Sequence, residues 1–371
     1  MYDSMIIHYG EIALKGKNRS YFENILIKNI QKKVKEKLIK YRGYFEIKLD
    51  KNSNEQELIY SLKTIFGIEN FSFCYKTKTE TKEIEKKALE IVKSKKGTFK
   101  VKTNRTYKEF PIKSFEFNKQ LGLYLEEQGQ TPDIYAPDYY LYTNIHQEKT
   151  YLYTEKYYGL GGLPVGVSGK CVCLFSGGID SPVAAYQMMK RGCRLILAHF
   201  YRTNSIEKKI LDLVEILKIY DPDIILEAVN FKKIQDQVIM EVSSRYRLLV
   251  YRRFMFRLAY ETAKKHKANS LCTGENLGQV ASQTMKNMFV SAQPVISEIN
   301  VFRPLLAMDK KEIILKAQEI NTFKISIQPY EECCSFMIPK HPETHARLKD
   351  ILEYEENLDV EELIKETLII K

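Results

Sequence analysis

At 371 residues the chain is long enough for two or three domains of roughly 100–200 residues each, so its cores need no disulfides to hold them. Hydrophobic residues make up 44% and charged residues 28%, which excludes a fibrous, collagen-like or wholly disordered chain. The net charge of +11 fits a polyanionic partner, because clustered cations displace counterions from phosphates, although a lysine-rich background gives the same balance without one.

Met1 to Tyr9 reads as a short strand centred on Met5 to His8 rather than as a cleavable leader. No apolar run approaches the roughly 18 residues of a membrane span, so a cytoplasmic protein with no membrane contact is expected. A helix from Ser20 to Leu38, a strand at Phe45 to Leu49 and a helix from Glu55 to Phe66 follow, an order typical of ferredoxin-like α+β units. A second set comprises a helix from Glu80 to Lys93, a strand at Phe99 to Thr103, a helix from Ser114 to Glu127 and a strand at Tyr151 to Thr154. The seam between the sets falls within residues 60–76, giving expected domains at 1–59 and 60–164.

The stretch Gly159 to Gly169 is too rich in glycine for a regular element and marks a boundary, with a third domain at 165–371. There the strands become unbroken apolar runs, Cys171 to Phe175, Leu195 to Phe200, Ile224 to Val229 and Ser270 to Thr273, separated by helices. That pattern predicts a doubly wound parallel sheet covered on both faces, with ligands at the carboxyl ends of the strands. The fold class is therefore α/β and α+β, multidomain.

The sharpest motif is Leu174-Phe175-Ser176-Gly177-Gly178-Ile179-Asp180-Ser181-Pro182, placed where a buried strand ends and a helix begins. Two glycines let backbone amides approach an anion, the hydroxyls of Ser176 and Ser181 add donors, and the helix offers its positive N-terminus. The lysine of G-x-x-x-x-G-K-[ST] is absent, so this is no Walker-type loop. It resembles the pyrophosphate loop (PP-loop) of ATP pyrophosphatases, which cleave between the α and β phosphates; the resemblance implies a chemical role for Asp180. Cys272 to Thr284 again follows a strand with glycines at the turn, and reads as a second lip or as a plain strand-to-helix turn. On the helix Tyr251 to Phe256, one of Arg252 and Arg253 is expected to meet a ligand while the aromatics pack.

Of the seven cysteines (Cys74, Cys171, Cys173, Cys193, Cys272, Cys333, Cys334) none shows C-x₂-C spacing, so reduced thiols and no metal site are expected. Lys340 and His341 would lower the pKa of a thiol at Cys333 or Cys334, while Glu331 and Glu332 oppose that, and adjacent cysteines are by themselves more often inert.

Five segments in order carry a family resemblance: Tyr9-Gly10-Glu11-Ile12-Ala13-Leu14-Lys15-Gly16-Lys17-Asn18-Arg19, then Gly161-Gly162-Leu163-Pro164-Val165-Gly166, the Ser176 loop, the Gly274 segment and the Cys333-Cys334 loop. Together they resemble the tRNA 4-thiouridine synthases, or tRNA sulfurtransferases of the ThiI type, over nearly the whole chain. The resemblance implies a ferredoxin-like domain, a tRNA-binding THUMP domain and a PP-loop catalytic domain. It implies ATP contacts at Leu174, Phe175, His199, Phe200, Arg252, Gly274 and Gln283, with Ser176, Gly177, Gly178, Asp180 and Ser181 completing the loop; His199 on its own reads as a core histidine. The catalytic cysteine aligns with Cys334, an offset to Cys333 remaining open. Only 37 residues follow Cys334, too few for the rhodanese domain that some members append, so the sulfur donor is expected to be a cysteine desulfurase. The resolving thiol is Cys333, Cys272 or none.

The implied reaction is adenylation of the C4 oxygen of uridine 8 of tRNA by ATP with Mg²⁺, followed by replacement of that oxygen by persulfide sulfur from Cys334. Lys15, Lys17, Arg19, Lys102, Arg105 and Lys108 are the candidate phosphate contacts, each equally well read as a surface charge. The resemblance further implies a homodimer and a sulfur-carrier protein of thiamine thiazole synthesis as second acceptor. Two other readings stay open at this point: a PP-loop ligase acting on a small molecule, and a non-catalytic tRNA-binding protein.

Overall fold

The computed structural model describes residues 2–202, 206–329 and 342–369. They form two compact units, Met1–Gly162 and Leu163–Lys371.

The first unit contains strands β1 (Ser4–His8), β2 (Leu38–Tyr41), β3 (Tyr44–Lys48), β4 (Asn70–Lys78), β5 (Phe99–Arg105), β6 (Tyr139–Ile145), β7 (Lys149–Tyr153) and β8 (Tyr157–Tyr158), with helices α1 (Arg19–Gln31), α2 (Glu55–Lys63), α3 (Thr81–Lys93) and α4 (Ser114–Glu127). The strands make one sheet in the order β2-β3-β1-β4-β7-β6-β5, with β8 also on β4. Long β4 joins its halves: Asn70 to Cys74 pair with β1, and Tyr75 to Lys78 pair with β7. Alternation along β4 sorts the faces, since Phe71 and Phe73 enter the core that includes Leu26, Ile30 and Leu58, whereas Tyr75 packs against the core of Ile84, Phe117 and Leu121. Cys74 lies on the other face, with Ile6, Tyr44 and Tyr151.

That other face is closed by Glu46 of β3, which is fully buried. Its carboxylate accepts from Lys149 Nζ at 2.7 Å and Tyr151 Oη at 2.8 Å on β7, and from Lys76 Nζ at 3.0 Å on β4. Strands β1 and β4 stand between β3 and β7, about 14 Å in a flat sheet. The Glu46 and Tyr151 side chains therefore reach toward each other over the two intervening strands.

The expected helix to Leu38 ends instead at Gln31. Buried Val34 continues the apolar spacing past the helix end, which misleads a periodicity reading. Leu38 then opens β2, which turns through Arg42 and Gly43 into β3; Gly43 has φ +98°, a conformation suited to glycine. Strands β4 and β6 were also absent from the predicted set.

The second unit is the expected parallel sheet, built from β9 (Lys170–Leu174), β10 (Arg194–Tyr201), β11 (Ile225–Asn230), β12 (Ser270–Cys272) and β13 (Asn300–Phe302) in the order β11-β10-β9-β12-β13. Every neighbouring pair is parallel. Helices α5 (Asp180–Lys190), α6 (Lys208–Lys218), α10 (Lys310–Glu319) and α11 (Phe323–Ser326) pack together on one side. On the other, α7 (Lys232–Glu241), α9 (Met285–Ala292), α12 (Leu348–Glu355) and α13 (Val360–Ile369) gather round the long α8 (Arg247–His266). Strand β9 runs to β10 and β11 on one side while β12 and β13 lie on the other, so the order of winding reverses between β9 and β12. The loops leaving those two strands part there and open a crevice. Edge strand β13, only three residues long, was not predicted.

Candidate functional site

The crevice is a cavity of about 580 Å³ at the carboxyl ends of β9, β10 and β12. Leu174, Phe175, Ser176, Gly178, Asp180, Ser181, His199, Phe200, Arg252, Gly274 and Gln283 all line it. Among the residues predicted to bind ATP only Gly177, inside the same loop, is not part of the wall. Leu174, Phe175 and Phe200 supply part of its apolar lining, and Leu248, Met255, Phe256 and Val280, which are not among the predicted ATP contacts, add to it.

The loop after β9 is held by its own hydroxyls. Ser181 Oγ accepts from the Ser176 amide at 2.9 Å and donates to the Ser176 carbonyl at 2.9 Å, and the Gly178 amide donates to Ser176 Oγ at 3.3 Å. Helix α5 starts at Asp180, with Pro182 in the first turn, where a missing N–H costs nothing. His199 is buried, and burial lowers its pKa, so it stands neutral. Its Nδ1 lies 3.0 Å from the Phe175 carbonyl and must donate to it, which leaves Nε2 unprotonated.

Asp180 Oδ1 is 2.6 Å from Lys310 Nζ at the start of α10, and Oδ2 accepts from Gln279 Nε2 at 3.1 Å. Neither partner was predicted. Gln279 lay inside a quoted segment, whereas Lys310 has no local signal, being 130 residues from Asp180. A Cβ on Gly274 would sit 2.9 Å from both the Asp180 carbonyl carbon and the Ser181 nitrogen, so the turn after β12 touches the start of α5 backbone to backbone at this glycine. Gly274→Ala is therefore expected to cost about 1–3 kcal/mol of stability by forcing them apart. Calorimetric melting of the variant checks this, and an unchanged melting temperature would contradict it.

Of the two arginines on α8, Arg252 faces the cavity and Arg253 is 1% exposed in the core. Arg253 forks onto Glu355 with two bonds of 2.9 Å and also reaches the Val290 carbonyl and Gln293. Arg252 pairs with the buried Glu275, whose other oxygen accepts from Arg303 Nε at 2.7 Å and Thr273 Oγ1 at 2.9 Å. Burial opposes ionisation of Glu275, but the Arg252 and Arg303 guanidiniums outweigh it and hold the carboxyl below its ordinary pKa.

Residues 166–360 match the profile of the family described as thiamine biosynthesis protein (ThiI); residues 4–72 match the ThiI ferredoxin-like domain and 78–155 the THUMP domain. The chain belongs to the ThiI family. A probable tRNA sulfurtransferase of Caldanaerobacter subterraneus subsp. tengcongensis is 40% identical over 98% of this chain and 97% of its own, and one of Moorella thermoacetica is 40% identical over 99% and 96%. Among solved structures, a 4-thiouridine synthetase in complex with RNA and with bound ATP superposes with a TM-score of 0.88 at 35% identity, covering 100% of this chain and 98% of that one.

In this ThiI member the remaining predicted residues are scattered. Lys17, Lys102 and Lys108 are exposed; Lys102 lies over the Tyr140 ring at 5.8 Å and Lys15 over Phe22 at 5.2 Å. Arg19 binds Tyr9 Oη at 2.7 Å and Glu23 at 3.0 Å, and Arg105 donates to the carbonyls of Phe110 and Ile112, so both make contacts within the fold. Cys333 and Cys334, with Lys340 and His341, lie outside the described residues. Cys272 is fully buried at the end of β12, where hydrogen bonding with Cys171 and Cys173 and burial push its thiol pKa well up, the opposite of what a ready nucleophile needs. Among the described residues no helix is long and apolar enough to cross a membrane.

Proposed function

We propose that the chain is an ATP-dependent tRNA sulfurtransferase that makes 4-thiouridine at uridine 8. The observation that carries this reading is the meeting of the Ser176 loop, His199, Phe200, Arg252, Gly274 and Gln283 around one cavity at the winding reversal of a parallel sheet. Its apolar wall suits a base, and the loop amides, the Ser176 and Ser181 hydroxyls and the start of α5 suit phosphates. The neutral His199 and the tethered Gly274 backbone add shape without adding charge.

In the first half-reaction the uridine C4 oxygen attacks the α-phosphate of ATP and expels pyrophosphate. The loop amides and Lys310 stabilise the charge that develops. Asp180, a hard oxygen ligand on the cavity wall between Gln279 and Lys310, fits the single carboxylate that a Mg²⁺ ion needs alongside nucleotide phosphates; when bound, that ion neutralises phosphate charge. In the second half-reaction the outer sulfur of a Cys334 persulfide attacks C4 and AMP leaves with the former oxygen; a second thiol then attacks the inner sulfur of Cys334, which breaks the S–S bond, releases 4-thiouridine and leaves a disulfide that an external thiol reduces before the next turnover. A cysteine desulfurase loads the persulfide, and residues 1–164 hold the tRNA through Lys15, Lys17, Arg19, Lys102, Arg105 and Lys108. A homodimer, a cytoplasmic location and a second sulfur acceptor among thiamine carrier proteins complete the proposal.

The test is incubation with unmodified tRNA, MgATP and a sulfide source, followed by digestion of the RNA. Appearance of 4-thiouridine, together with AMP and dependent on both ATP and tRNA, is the expected result. AMP formation without RNA would favour a ligase of small molecules, and RNA binding without AMP a non-catalytic tRNA-binding protein.

A further inference from the structure

We propose that Arg303 is a positioning residue for nucleotide binding, acting on the cavity-lining Arg252 through the buried carboxylate of Glu275. This rests on reading the cavity as the ATP site. Glu275 is 2% exposed and carries one negative charge between two guanidiniums, so the three side chains together keep a charge of +1 in the wall. Left with Arg252 alone, a buried glutamate would close with it as a neutral, two-pronged pair, the geometry that arginine and carboxylate prefer. Arg303 prevents this. Its Nε donates to Glu275 Oε2 at 2.7 Å, and Thr273 Oγ1 donates to the same oxygen at 2.9 Å.

Arg252 is thereby restricted to Oε1, which it reaches through Nη2. Its Nε–H is buried and has no partner among the described residues. The Arg252 side chain as a whole is nonetheless part of the cavity lining. Held on one carboxylate oxygen only, Arg252 keeps its positive charge on the cavity wall, where it meets a nucleotide phosphate. Arg303 itself follows β13 at the sheet edge and is not among the residues lining the cavity, which makes its action indirect.

ATP titration of the full chain by calorimetry tests this with Arg303→Met, Arg303→Lys, Arg252→Met and the Arg252→Met/Arg303→Met double variant. Arg303→Met is expected to weaken ATP binding roughly tenfold or more, and Arg303→Lys less, since lysine keeps the charge but not the fork. In the Arg252→Met background the Arg303 substitution should add nothing, because its effect passes through Arg252. Steady-state turnover should show a raised KM for ATP with kcat retained, a split that general loosening of the fold does not produce. Should Arg303→Met fail to fold, Arg303→Lys alone and over Arg252→Met gives the same coupling. Wild-type affinity in the folded Arg303 variants, or effects of the two positions that simply multiply, overturns this inference alone. No ATP binding by the unaltered chain overturns the nucleotide-site reading as well.

Discussion

Asp180→Asn is expected to lower tRNA-dependent pyrophosphate release by roughly 10²–10³-fold, whereas Cys334→Ser leaves that release intact and stops transfer of persulfide sulfur. The asparagine side chain matches aspartate in shape, so the Gln279 contact at 3.1 Å can persist and the start of α5 stays in place. What disappears is the charge. Lys310, 2.6 Å away in the parent, is left without its counterion, and no carboxylate remains on the cavity wall at this point to organise cation and phosphate. Cys334 belongs to the second half-reaction, so its loss should leave AMP–uridine formation running without sulfur delivery. Pyrophosphate release and 4-thiouridine content, measured on the same samples with a cysteine desulfurase as donor, separate the two steps. A Cys334→Ser protein that still yields 4-thiouridine from the desulfurase would refute the nucleophile assignment, and an Asp180→Asn protein with parental pyrophosphate release would refute the role of that carboxylate.

Glu46→Ala should destabilise the first unit by about 3–5 kcal/mol, because it strands the Lys76 and Lys149 ammonium groups on a largely buried face. The carboxylate takes three donors from β4 and β7, so the loss is not confined to one pair. A Glu46→Gln/Lys149→Met double variant should be less unstable than the two single effects summed, since each substitution removes the other's orphaned partner. The chain has no tryptophan and 25 tyrosines, so tyrosine fluorescence in urea follows unfolding of the whole chain, with tyrosines 41, 44 and 151 beside Glu46 among the reporters. Burial opposes ionisation of Glu46, but the bonds from Lys149, Tyr151 and Lys76 outweigh it and push its pKa down to about 2 from 4.5. A folded pKa below the unfolded one means that the stabilisation is complete above about pH 4.5 and is lost as pH falls toward 2. The parent should therefore lose stability through that window more steeply than Glu46→Gln. Parallel pH profiles would contradict the assignment.

The core of the site was legible because its signals are local. An apolar run ending in Ser176-Gly177-Gly178 before a helix start specifies strand, turn and helix within a dozen residues, and the α4 helix was read from Ser114 to Glu127, its observed limits. The α1 overrun and the missed β6 have the opposite cause: Val34 prolongs a periodicity beyond its helix, and a tyrosine-rich strand such as β6 is recognised chiefly by the partners it pairs with, while β4, across the expected domain seam, alternates Phe71, Phe73 and Tyr75 and was legible but not assigned.

The sequence alone determined the family, the parallel-sheet architecture of the second half and the identity of the glycine-rich loop, since these depend on residue order over short spans. Only the tertiary structure decided that Arg253 is held in the core by Glu355, that Lys310 meets Asp180, that Arg303 shares Glu275, and that Glu46 closes the sheet. Periodicity states which side of an element is apolar, but the counterion waiting on that side comes from a segment 23 to 130 residues away and is fixed only when the layers pack.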